Sequence, residues 1–147
     1  MITLYTIGFT KKSAERFFGL LRDNGVKQLV DIRINNSSQL AGFAKGKDLV
    51  FFVNEICHIP YQHIVDFAPT KELLDQWHKN EVTWTEYEEI YTKMLKDREI
   101  VKKYGVKSFD GACFLCSEDT PEQCHRRLLA EYMKEHSKEE VRIVHLI

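Results

Sequence analysis

The chain has 147 residues, 44% of them hydrophobic, which is the length of one domain with enough apolar side chains for one substantial core. Its 21 Lys and Arg balance 22 Asp and Glu, so composition excludes a general attraction to nucleic acid or to an anionic membrane. Four cysteines do not make a disulfide framework, and neither a secretory leader nor a membrane-spanning stretch is recognisable. We therefore expect a cytoplasmic protein with free thiols.

The first third of the chain is typical of a strand–helix–strand unit. A β-favouring run over residues 3–7 stops at Gly8, and apolar residues at helical spacing follow over 11–24. Gly25 can end that helix, and a second β-favouring run covers 27–34. Strands joined by one helix usually lie parallel and side by side, so we expect these two strands to be neighbours in the sheet.

Helices and strands continue to alternate after a polar loop over residues 35–47. Further helices are predicted over 48–57, 71–78, 83–103 and 121–135. Further strands are predicted over 60–65, 112–116 and 141–146. This alternation predicts a single α/β domain over residues 1–147, with a three-layer αβα architecture and a mainly parallel sheet. The fold would be Rossmann-like or flavodoxin-like, with the strand order left open.

Polar residues follow three of the predicted strands, at the edge where open parallel sheets usually bind ligands. They are Gly8 and Thr10, then Asp31 and Arg33, then Ser117 and Glu118. Asp31 and Arg33 lie two apart on an extended chain, so their side chains point the same way and can face one ligand. Arg33 would then clamp a phosphate or carboxylate. The alternative is a buried ion pair that ties the strand end to the loop.

A helix start is predicted in the segment that reads TPEQCHRR. Thr120 would be the N-cap, Pro121 the first helical residue, and Gln123 the partner in a capping box. The free backbone N–H groups and the helix dipole favour an anion at such a terminus. Cys124 would lie in the first turns, where its thiol pKa can be lowered, so either an anionic ligand or a reactive thiolate would fit.

Four short motifs are similar to those of one known family, the domain of unknown function 488. They are Thr6-Ile7-Gly8, Val30-Asp31-Ile32-Arg33, Cys116-Ser117-Glu118 and Cys124-His125-Arg126. The spacing of Trp84, Tyr87 and Tyr91 also resembles the family's, so the resemblance covers nearly the whole chain. After the arginine motif the family often has a proline, where this chain reads Ile34-Asn35. The resemblance implies no established reaction, so a mechanism must come from the residues.

Zinc ligands are present in sufficient number, but their expected geometry argues against a metal site. The four candidates are Cys113, Cys116, Cys124 and His125. Cys113 and Cys116, three apart on a strand, should point to opposite faces. Cys124 and His125, adjacent on a helix, should point about 100° apart. Glycine-rich nucleotide motifs and a phosphatase loop are also absent from the sequence, so neither a metal nor a cofactor is expected.

Two apolar patterns favour a place in the core. Cys116 lies on an apolar strand, which is typical of a small buried residue. Trp84, Tyr87, Tyr91 and Leu95 recur at helical spacing, which favours a buried stripe, with a platform that stacks bases as the alternative.

The leading hypothesis is an enzyme that acts on a phosphate-bearing substrate, a nucleotide or nucleic acid. Its catalytic candidates are Asp31, Glu118, Cys124 and His125. Its substrate-binding candidates are Gly8, Arg33, Ser117 and Arg126. One alternative is a non-catalytic module that binds nucleic acid or a protein through residues 39–47 and the basic helix from 121. The other is a thiol redox sensor in which Cys116 and Cys124 react.

Overall fold

A computed structural model of the protein describes residues 1–37 and 42–147, which form a parallel five-stranded sheet and six α-helices. The strands are β1 (Ile2–Gly8), β2 (Gln28–Asp31), β3 (Tyr61–His63), β4 (Ala112–Cys116) and β5 (Val141–Leu146). The helices are α1 (Ala14–Asp23), α2 (Gly46–Phe52), α3 (Lys71–His78), α4 (Trp84–Asp97), α5 (Ile100–Tyr104) and α6 (His125–His136). The predicted three-layer αβα architecture is confirmed. Within the described ranges, none of the helices combines the length and apolarity that a bilayer crossing requires.

The strands lie in the order β3-β2-β4-β1-β5. The prediction that β1 and β2 are neighbours is wrong, because β4 lies between them and pairs with both. The connection through α1 leaves room for one more strand, and a segment from much later in the chain fills it. As a result the carboxyl ends of β1, β2 and β4 lie next to one another, with Gly8 opposite Cys116 and Asp31 opposite Leu115.

The two faces of the sheet carry two separate apolar clusters, because successive strand residues point to opposite faces. On β4, Phe114 and Cys116 face the cluster that α3, α4, α5 and α6 cover. Cys113 and Leu115 face the cluster that α1 and α2 cover. The prediction that Cys113 and Cys116 point apart is therefore confirmed.

Side-chain caps are present at the starts of three of the six α-helices in the described ranges. Ser13 caps α1 and Thr70 caps α3 through their side chains. Thr83 and Glu86 form a capping box at α4, which places Trp84 at the first helical position. The helix predicted over 83–103 is divided into α4 and α5, because Glu99 adopts a left-handed φ of 52°.

The start of α6 differs from the prediction. The helix begins at His125 instead of Pro121, and its N-cap is Cys124, which is extended (φ −138°, ψ 138°) and makes no side-chain cap. The three residues before Cys124 form a turn, closed by a hydrogen bond from the Cys124 N–H to the Pro121 carbonyl. Thr120 therefore does not start the helix, and the preceding loop is held by hydrogen bonds from Arg126 to the Glu118 and Asp119 carbonyl oxygens.

Candidate functional site

A cavity of about 470 Å³ lies beyond the carboxyl ends of β1, β2 and β4. This is the size range of pockets that hold small organic ligands. Its polar wall comes from the segments that follow the three strands and includes Thr10, Arg33, Asn35, Ser117, Glu118 and Gln123. Its apolar wall comes from α3, α4 and the segment just before α3 and includes Pro69, Leu74, Trp77, Trp84 and Tyr87. The residues predicted after the strands thus line one cavity, which is partly open to solvent.

Arg33 is buried in the polar wall, and one of its nitrogens is unused. Its Nε lies 2.9 Å from Asp31 Oδ1, and its Nη2 lies 2.8 Å from Asp31 Oδ2 and 2.7 Å from the Ala44 carbonyl oxygen. Its Nη1 is buried and has no partner among the described residues. Burial disfavours the guanidinium charge, but the bonds to Asp31 dominate and raise the pKa of Arg33. The predicted ion pair therefore exists. The Arg33 guanidinium also packs over the Phe9 ring, 5.2 Å from its centroid, and keeps one donor without a hydrogen-bond partner among the described residues.

Asp31 stands behind Arg33 and does not line the cavity. Its side chain is fully buried and also accepts a hydrogen bond of 2.6 Å from the Tyr61 hydroxyl. Burial and the Asp31 charge raise the pKa of Tyr61, so this hydroxyl stays a donor. In this position Asp31 orients Arg33.

Two thiols and an imidazole meet at the cavity wall between β4 and α6. Cys116 Sγ lies 3.4 Å from His125 Nδ1, and single ligand atoms of Cys116, Cys124 and His125 all lie within 4.8 Å of one another. The prediction that Cys124 and His125 point apart is wrong, because it assumed a helical Cys124 and this residue is extended. All three residues are buried and line the cavity.

The two thiols have opposite pKa shifts. Burial disfavours the charge on Cys116, yet the pKa of its thiol is lowered by hydrogen bonds from Cys124 and the Ser117 backbone and by the charge of Arg126. Burial and the neighbouring Cys116 raise the pKa of Cys124 well above its ordinary value. Cys116 is thus the thiol that ionises first. Sequence reasoning treated it as a core residue, although its place at the end of a strand was a usable signal.

Arg126 and Gly8 lie behind the cavity and hold the loop after β4. Arg126 is fully buried, and its three nitrogens contact the carbonyl oxygens of Glu118 and Asp119 and the hydroxyl of Thr6. A Cβ on Gly8 would lie 1.5 Å from the Glu118 carbonyl oxygen, so only glycine permits this approach. Neither residue lines the cavity.

The aromatic stripe on α4 is divided between core and cavity. Tyr91 and Leu95 are fully buried in the core, as the spacing favoured. Trp84 and Tyr87 line the cavity and stack with a centroid distance of 4.8 Å, and Trp77 from α3 packs 5.2 Å from Trp84. The cavity therefore has one aromatic wall.

The basic surface of the binding-module alternative is partly engaged within the protein. The loop predicted over 39–47 begins outside the described residues, which resume at 42. Arg126 is buried, and Arg127 forms ion pairs with Glu131 at 3.0 Å and Glu88 at 3.5 Å. These contacts leave the start of α6 little free positive charge.

Comparison with known proteins identifies a family. No curated protein and no solved structure matches the chain. The family model described as Domain of unknown function DUF488 matches residues 13–133, a span that contains both Arg33 and the thiol cluster. Because this match covers most of the chain, the protein belongs to the DUF488 family.

Proposed function

We propose that the protein is an enzyme that acts on a phosphate-bearing substrate with a planar ring, of which a nucleotide is the representative. This proposal rests on Arg33, a cavity-lining residue whose buried Nη1 has no hydrogen-bond partner among the described residues. Arg33 would bind the phosphate, the aromatic wall would pack on the ring, and the thiol–imidazole cluster would be the reaction centre.

Arg33 Nη1 lacks a hydrogen-bond acceptor among the described residues, which favours a phosphate ligand. A buried donor without an acceptor costs about 1–3 kcal/mol, and more when the donor carries a charge. Asp31 already occupies the opposite edge of the guanidinium, so Arg33 is held in place before any ligand arrives. A phosphate oxygen would satisfy Nη1 with a charge-assisted hydrogen bond and a low ordering cost.

The aromatic wall supports a ring on the same substrate. Trp77 and Trp84 are half-buried and line the cavity, and Trp84 stacks on Tyr87, so only part of the indole surface would contact a ligand ring. Stacking of a base on an aromatic side chain is worth about 1–3 kcal/mol. A cavity with a cationic donor on one wall and two indoles on another therefore suits a nucleotide better than a free inorganic anion.

Catalysis, in addition to binding, is supported by the chemistry at the cavity wall. Cys116, Cys124 and His125 are buried against one another and yet line the ligand space. Glu118 is exposed at the rim and is the carboxylate placed to exchange protons with a ligand.

A thermal-shift screen of nucleotides, phosphorylated metabolites and short oligonucleotides tests the proposal. A nucleotide should raise the midpoint of the wild type and of Tyr61→Phe, which perturbs the same Asp31 network outside the cavity. Arg33→Lys keeps the charge but lacks the forked donors, so its midpoint should not respond. An equal response of Arg33→Lys, or no response of the wild type to any phosphate compound, would reject the proposal.

A further inference from the structure

We infer that Cys116, Cys124 and His125 bind a zinc-class divalent ion, with one coordination position open to the cavity. The binding of the ion follows from these three residues alone. Its part in the reaction rests on the proposed function.

The separations of the ligand atoms suit tetrahedral zinc. Bonds of about 2.3 Å to sulfur and about 2.0 Å to imidazole nitrogen place those two atoms about 3.5 Å apart around a tetrahedral ion. Cys116 Sγ and His125 Nδ1 are 3.4 Å apart. One ligand atom each of Cys116, Cys124 and His125 lies within 4.8 Å of the other two, so side-chain rotations, without movement of the backbone, would bring the three to one ion.

The imidazole is held in the tautomer that a metal needs. His125 Nε2 lies 2.9 Å from the Ile32 carbonyl oxygen, and a carbonyl only accepts hydrogen bonds, so Nε2 carries the proton. Nδ1 then carries the free lone pair. Cys116 Sγ lies 3.4 Å from Nδ1 and 3.8 Å from Nε2, so the sulfur lies against the ring, and a shared ion requires a rotation of the Cys116 or His125 side chain. A backbone carbonyl that fixes the far nitrogen is the usual outer-shell partner of a metal-binding histidine.

The donor set and its surroundings indicate the class of ion. Two thiolates and one imidazole favour zinc and similar soft or borderline ions over magnesium or calcium. All three residues are buried, which excludes competing water on the protein side, and all three line the cavity. Three protein ligands with a fourth position open is the arrangement of catalytic zinc sites, whereas structural sites have four.

Metal binding by the whole protein, purified under reducing conditions, tests the inference. The wild type should take up about one equivalent of zinc by elemental mass spectrometry, and of Co²⁺ with thiolate charge-transfer and tetrahedral absorption bands. Cys116→Ser, Cys124→Ser and His125→Ala should each weaken binding by at least about tenfold. Cys57→Ser is the matched control, because Cys57 is a free cysteine outside the cluster and should leave binding unchanged.

A second measurement needs no variant. Bound zinc should protect Cys116 and Cys124 of the wild type, but not Cys57, from alkylation detected by peptide mass spectrometry. Failure of the reduced wild type to bind either ion, or equal binding by Cys116→Ser and Cys57→Ser, would overturn the inference. If nucleotide binding depends on Arg33 but the protein binds no metal, the metal site is rejected and the proposed substrate is not. If the protein binds metal but no phosphate compound, the proposed substrate is rejected and the metal site is not.

Discussion

Arg33 and Arg126 are two buried arginines at the same edge of the sheet, and they differ in how their donors are used. Each nitrogen of Arg126 contacts an oxygen of the protein, so this side chain serves the loop after β4. Arg33 gives two nitrogens to Asp31 and Ala44 and keeps Nη1 without a partner among the described residues. Burial alone therefore does not distinguish the two arginines, and the proposed phosphate contact rests on the donor of Arg33 that has no partner among the described residues.

The largest effect should come from removing the structural arginine. Arg126→Met leaves the carbonyls of Glu118 and Asp119 without their donors and should reduce the free energy of unfolding by about 3 kcal/mol. Arg22→Met in α1 removes an exposed arginine with one surface ion pair to Asp23 and should cost about 0.5 kcal/mol. Urea denaturation of both variants measures the difference. Similar losses would mean that Arg126 does not anchor the loop.

A smaller loss is expected where the loop touches β1. Gly8→Ala forces the new methyl group against the Glu118 carbonyl and should reduce the free energy of unfolding by about 2 kcal/mol. The control is Gly19→Ala in α1, where nothing lies within 4 Å of the new Cβ, and it should stabilise the protein by about 0.5 kcal/mol. A harmless Gly8→Ala in thermal or urea unfolding would contradict the close approach.

The smallest effect concerns the aromatic wall opposite Arg33. Trp84→Leu removes a ring face and should weaken nucleotide binding by about 1 kcal/mol, or about fivefold, while binding of inorganic phosphate stays unchanged. Trp84→Tyr keeps a flat ring and should retain most of the nucleotide affinity. Isothermal titration separates the two ligands. Equal losses for phosphate and nucleotide would show that Trp84 supports the cavity instead of contacting a ring.

Most of the fold was predictable because its signals are local. Hydrophobic periodicity indicated alternating strands and helices, and that alternation led correctly to a three-layer parallel sheet. The position of β4 between β1 and β2 was not predictable, because strand order depends on contacts between segments far apart in sequence. The side-chain alternation that separates Cys113 from Cys116 was predictable, since it follows from strand geometry alone.

The site was predictable in its position and only partly in its composition. Arg33, Glu118, Cys124 and His125 were selected because they follow strands or begin a helix, and all four line the cavity. The thiol-sensor alternative already paired Cys116 with Cys124, but the addition of His125 to this pair was not predicted, because the capping signal at Thr120 placed the helix start too early. The buried guanidinium of Arg126 contacts the carbonyl oxygens of Glu118 and Asp119 in the loop before that helix, and no local sequence pattern reveals such a contact.

A crystal structure of the protein with the nucleotide that gives the largest thermal shift tests directly whether a phosphate binds Arg33 in this cavity. We expect a phosphate oxygen within hydrogen-bond distance of Arg33 Nη1, with the ring packed on Trp77 or Trp84 and the reacting end near Cys116. A nucleotide bound outside this cavity, or one whose phosphate avoids Arg33, would contradict the account.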